Sequence, residues 1–173
     1  MKRWQESVCS WSPWVSGSVL GVTMVAQIVL SFILRNPFAL PALKWLGYAA
    51  WTLSAIFGIV PMITFRVKGR VPKGKSYMHT TVLVDSGIYA VVRHPQFLAG
   101  VLISIALTLI TQHWLIALLG AVSTGVTYVD AFRADRDGIE KFGVAYERYM
   151  QRVPQLNFVA GLFRLARQGS GGC

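Results

Sequence analysis

The sequence predicts an all-α integral membrane protein, with about four transmembrane helices and C-terminal amphipathic interfacial helices. Three observations predict it. Apolar residues make up 54% of the 173 residues and charged residues only 14%, where a soluble domain carries about a quarter. Long uncharged runs recur along the chain, separated by short polar loops. After Asp130 the pattern turns amphipathic, with charges between aromatic residues at helical spacing.

The elements follow in order. Trp14 to Leu34 carries no charge and has the length of a spanning helix, stopped by Arg35-Asn36-Pro37. Trp45 to Phe65 is a second uncharged run; Pro61 inside it is tolerable as a kink within a bundle. Residues 66–85 form a polar loop with Arg66, Lys68, Arg70, Lys73 and Lys75, and residues 81–84 pack at the interface. Phe97 to Val129 is uncharged over 33 residues, too long for one spanning helix. Thr111-Gln112-His113 is its only polar break, so two helices joined by a tight turn are expected, the first starting near Pro95. From Asp135 to Gln151 one amphipathic helix is expected, ended by Pro154. Phe158 to Arg167 is a second, lying on the membrane. The length fits one domain over 1–168, and 169–173 read as a flexible tail.

Net charge is +10, with basic residues concentrated in loops and flanks. That suits membrane lipids with anionic headgroups, and no basic stretch alternates with aromatics as in a nucleic-acid binder. With four spans, Lys2, Arg3, the 66–75 cluster and residues 133–152 share one side. The positive-inside rule makes that side cytoplasmic, together with both termini. No cleavable signal peptide is expected. Cys9 and Cys173 have no metal-site spacing, and three scattered histidines give no zinc pattern. Phosphate-loop and nucleophile-elbow motifs are absent from the sequence.

Two strings flank the apolar hairpin and would meet on one side of the bilayer. The first holds Gly87, Tyr89, Arg93, His94, Pro95 and Phe97. Gly87, with Gly100 just beyond, permits close backbone approach to a ligand, while tyrosine and histidine offer polar tips on flat apolar bodies. The second holds Asp130, Arg133, Asp135, Arg136 and Asp137, then Phe142, Tyr146 and Tyr149. Helical spacing puts Asp135 on the aromatic stripe, where a carboxylate would receive an ammonium and the rings a sulfonium.

Gly87-Ile88-Tyr89-Ala90-Val91-Val92-Arg93-His94-Pro95-Gln96-Phe97, the hairpin, and Phe142-Gly143-x-x-Tyr146-x-x-Tyr149 with Arg152-Val153-Pro154 resemble the isoprenylcysteine carboxyl methyltransferase family, within a wider group that includes phospholipid N-methyltransferases. The resemblance covers roughly residues 82–160, the implied catalytic core. It implies S-adenosylmethionine as cofactor and a lipid-like or prenylated acceptor entering from the bilayer. Cofactor binding is carried onto Tyr89, His94, Pro95, Phe142, Tyr146 and Tyr149, with Gly87, Arg93, Phe97 and Asp135 beside them. The chain departs from the family pattern at Phe97 (usually tyrosine), Ala99 (usually glycine) and Ala134-Asp135 (a glutamate pair). The acceptor implied is an isoprenylcysteine-type carboxylate, which needs a cation to hold it; Arg133 and Arg152 are the candidates. A phospholipid amine is the alternative, in which His94 or a carboxylate helps remove the proton. A catalytically silent scaffold and a nicotinamide-dependent reductase branch are further alternatives.

Overall fold

The computed structural model describes residues 12–34, 36–69 and 81–170. The expectations resting on Lys2, Arg3, Cys9, residues 70–75 and Cys173 lie outside the described residues. The described chain is helical: α1 (Pro13–Ile33), α2 (Pro41–Lys68), α3 (Ile88–Val91), α4 (Pro95–Thr111), α5 (Trp114–Phe142), α6 (Val144–Arg152) and α7 (Phe158–Ser170). Among the described residues three helices, α1, α2 and α5, are long and apolar enough to cross a membrane; α4 is apolar but shorter, at 17 residues. The 97–129 run does divide as its polar break implied: α4 starts at Pro95, stops at Thr111, and Gln112 turns the chain with φ 51°.

The chain forms two compact units. The first comprises residues up to Ala55 together with Ala99–Arg133. Its helices are tied by a few polar side chains in apolar surroundings. Gln27 is fully buried and donates to the carbonyls of Ser104 (3.3 Å) and Ile116 (3.0 Å). Ser123 donates to Thr23 Oγ1 at 2.8 Å, and Ser54 to the Ala99 carbonyl at 2.8 Å. Such bonds stabilise helix contacts where lipid offers no competing partner. Large apolar side chains such as Val22, Phe32 and Trp45 face outward, as a lipid-facing surface requires.

The second unit comprises Ile56–Leu98 and the residues from Ala134 onward. Tyr146, Tyr149 and Val153 form its core, packed by Leu83, Ile139, Phe142 and Met150. Phe57 meets Phe158 at 5.5 Å between ring centres. One expectation is corrected here. Residues 135–151 are not one helix: α5 ends at Phe142 and α6 begins at Val144. Gly143 between them has φ 56° and ψ −137°, a conformation open to glycine and strained for other residues. Gly87 plays the same part before α3, with φ 67° and ψ −129°.

Candidate active site

Two prolines shape the site. Pro95 keeps His94 out of helical geometry, and Pro154 prevents α6 from continuing. The two freed segments lie alongside each other. The Arg93 amide donates to the Pro154 carbonyl at 3.0 Å, and the His94 amide to the Gln155 carbonyl at 3.2 Å. This pairing brings Arg93, His94 and Gln155 to one carboxylate, that of Asp135.

Asp135 is buried and accepts four hydrogen bonds. His94 Nε2 (2.8 Å) and the Tyr146 hydroxyl (3.0 Å) donate to Oδ1. Arg93 Nη1 (2.8 Å) and Gln155 Nε2 (3.0 Å) donate to Oδ2. A carboxylate has about four lone-pair positions, so Asp135 is saturated. Burying its charge is tolerable only because the pairing is complete.

Beside this cluster lies a cavity of about 370 Å³. Phe65, Tyr89, Phe97, Phe142, Tyr146 and Tyr149 give it an aromatic lining, and Arg93, His94, Asp137 and Lys141 supply its charged or titratable groups. Phe65 stacks on Tyr89 at 4.4 Å, and Tyr146 meets Tyr149 edge-on at 5.6 Å. The Tyr149 hydroxyl donates to the Tyr89 carbonyl at 2.7 Å, fixing α6 to α3. Tyr146 closes over Gly138, where an added Cβ would stand 2.4 Å from the ring. Burial, ahead of the nearby Asp135 charge, raises the Tyr146 hydroxyl pKa well above its usual value. Burial, ahead of Tyr146, does the same for Tyr149. Both therefore remain hydrogen-bond donors.

Of the residues singled out from sequence, Tyr89, Arg93, His94, Pro95, Phe97, Phe142, Tyr146 and Tyr149 line the cavity. Four do not. Gly87 caps α3 instead. Asp135 is withdrawn behind the wall, its oxygens already taken by protein donors. Arg133 belongs to the first unit, where it bonds Asp130 and Ser16, each at 2.9 Å. Arg152 is exposed, with Asp85 3.8 Å away. Sequence reasoning missed Phe65, Leu83, Gly138, Lys141 and Gln155, and it preferred Asp135 to Asp137, which is the aspartate that lines the cavity. The i, i+3, i+4, i+7 spacing of Ala134, Asp137, Gly138 and Lys141 marks one helix face and was the available signal. Phe65 and Gln155 carried none.

The apolar helices define an integral membrane protein, and the second unit gives it an aromatic cavity backed by a buried Asp-His-Arg cluster. The chain belongs to the phospholipid methyltransferase family, whose pattern matches residues 25–134, well over half the chain. That family includes isoprenylcysteine carboxyl methyltransferase-like members. No curated protein and no solved structure matches the chain. Family membership implies a membrane methyltransferase that uses S-adenosylmethionine.

The residues present fit that cofactor. The cavity falls in the usual range for small-molecule sites. Its aromatic faces suit a sulfonium, and Asp137 with Lys141 offers opposite charges to an amino-acid zwitterion. Arg93 Nε, buried without a partner, is a further donor on the wall.

Proposed function

We propose that the chain transfers a methyl group from S-adenosylmethionine to an amine on a membrane lipid headgroup. The observation that carries this reading is His94 on the wall of the aromatic cavity, paired behind the wall with Asp135. An ammonium headgroup must lose a proton before its nitrogen is nucleophilic. Asp135 accepts from His94 Nε2, which makes Nδ1 the basic ring nitrogen of neutral His94. His94 then takes the amine's proton at Nδ1. Arg93 and Gln155 act through Asp135, holding the imidazole in place. When bound, the cofactor supplies a methyl group on a sulfonium, whose leaving group needs no activation. Phe142, Tyr146 and Tyr149 exclude water and hold the reacting groups together.

A methyl ester on an isoprenylcysteine-type carboxylate is the second reading. The ordered motif pair in the sequence favours it. In either case the acceptor enters from the bilayer. The basic flanks favour a cytoplasmic position for the site and both termini.

The test is methyl transfer from methyl-labelled S-adenosylmethionine by the detergent-solubilised chain. Label fixed in the headgroup of phosphatidylethanolamine supports the amine reading. Label in a base-labile ester of a prenylcysteine moves the chain to the second. Cofactor binding with no transfer to either acceptor would indicate a silent scaffold.

A further inference from the structure

The first unit contains a groove of about 490 Å³ that shares no lining residue with the aromatic cavity. Its walls come from α1, α2 and α4, with Ile28, Phe32 and Ile110 along the apolar trough and Lys44, Tyr48 and Trp51 on the α2 side. Most polar groups in it are already engaged. Asn36 donates to the Gln112 carbonyl and accepts from the Phe38 amide. Thr111 donates to the Leu107 carbonyl, Ser31 to Ile28 and Thr52 to Tyr48.

Lys44 differs. It is exposed, at the start of α2, where the helix dipole adds to its positive charge. Asp130 is the only acidic residue among the described residues of the first unit, and it is held by Arg133 at 2.9 Å. Among the described residues of that unit no carboxylate is thus left to neutralise Lys44. Exposed aromatic residues surround the same helix ends. Trp45 packs edge-on to Tyr48 at 5.9 Å, and Trp114 stacks on His113 at 6.1 Å. Tryptophan and tyrosine gather at the level of lipid headgroups.

We propose that this groove binds an anionic phospholipid, its phosphate against Lys44 and an acyl chain along Ile28, Phe32 and Ile110. The helices that form it present apolar outer surfaces, so lipid is the amphipathic molecule at hand. Lys44, with no carboxylate partner among the described residues of the unit, selects the negative headgroup. This inference stands independently of the methyl-transfer reading.

Native mass spectrometry of the full chain released from detergent tests it, with phosphatidylglycerol and phosphatidylcholine of matched chains as probes. Wild-type protein should retain one phosphatidylglycerol about fivefold more than phosphatidylcholine, the scale of one lysine near an anionic headgroup. Lys44→Gln should bring the two lipids to parity, and Lys44→Arg should keep the preference. Ile28→Trp, which fills the trough and leaves the charge, should reduce retention of both. Equal retention of the two lipids by wild type, or an unchanged preference in Lys44→Gln, overturns the proposal. So does displacement of the lipid by millimolar inorganic phosphate, which would mark a free-anion site.

Discussion

The Tyr146 hydroxyl donates to Asp135 Oδ1 at 3.0 Å, although a helix break at Gly143 lies between the two residues. Spacing on one continuous helix would have placed both on a single stripe facing a ligand. The break turns α6 back so that the tyrosine ring covers Gly138 and its hydroxyl reaches the buried carboxylate. Tyr146 thereby joins two roles, as cavity wall and as partner of the Asp135 cluster.

Gly138→Ala should therefore destabilise the second unit. The new methyl would stand 2.4 Å from the Tyr146 ring, and overpacking of this kind costs about 1–3 kcal/mol. Thermal unfolding in detergent measures it. The same substitution in a Tyr146→Leu background should cost much less, and an undiminished penalty would contradict the contact.

The two nearby aspartates should separate by what they affect. Asp135→Ala leaves Arg93 buried without its counter-charge and should cost about 3–5 kcal/mol of stability. Asp137→Asn, on the cavity wall, should leave the unfolding midpoint nearly unchanged and weaken ligand binding about tenfold, about 1.4 kcal/mol. Stability curves and binding titrations on both variants check the assignment. The reverse pattern would exchange their roles.

Much of the fold was legible because lipid imposes simple rules. Uncharged runs of spanning length, the polar break at residues 111–113, and the start at Pro95 all follow from hydropathy and proline geometry. The lining of the candidate site was legible where residue type fixes chemistry, as in His94, Tyr89, Phe142, Tyr146 and Tyr149. It failed where a single backbone angle decides. Gly143 reads as one glycine in an amphipathic pattern, yet its positive φ splits the helix. Arg133 and Arg152 matched the charge a carboxylate acceptor needs, but Asp130 and Ser16 hold the first and the second is exposed. Those partners are tertiary facts that composition does not carry.

Arg152→Ala should accordingly be close to neutral. Its pair with Asp85 is long and exposed, and such surface changes stay within about 0.5 kcal/mol. Methyl transfer by this variant should match wild type, and a large loss of turnover would return Arg152 to the reacting groups.

Alkaline pH should destabilise the fold through the two buried tyrosines. Their hydroxyls donate to Asp135 and to the Tyr89 carbonyl, which a phenolate cannot do. Burial raises both pKa values above the ordinary 10.0. Above about pH 10 the unfolded chain loses these protons while the folded chain keeps them. The unfolded state then binds fewer protons, so stability falls as pH rises. Below pH 10 the contribution is fully present. Tyr149→Phe should cost about 1 kcal/mol at pH 8 and make the alkaline decline shallower. Unfolding midpoints between pH 8 and 11 report both effects.

The central claim is that the aromatic cavity of the second unit holds S-adenosylmethionine. Isothermal titration calorimetry on the detergent-solubilised chain tests it most directly, with S-adenosylmethionine, its demethylated product and NADPH as titrants. The account predicts saturable binding of the first two, none of NADPH, and binding weakened about tenfold in Asp137→Asn. Binding of NADPH with no detectable S-adenosylmethionine affinity would contradict it.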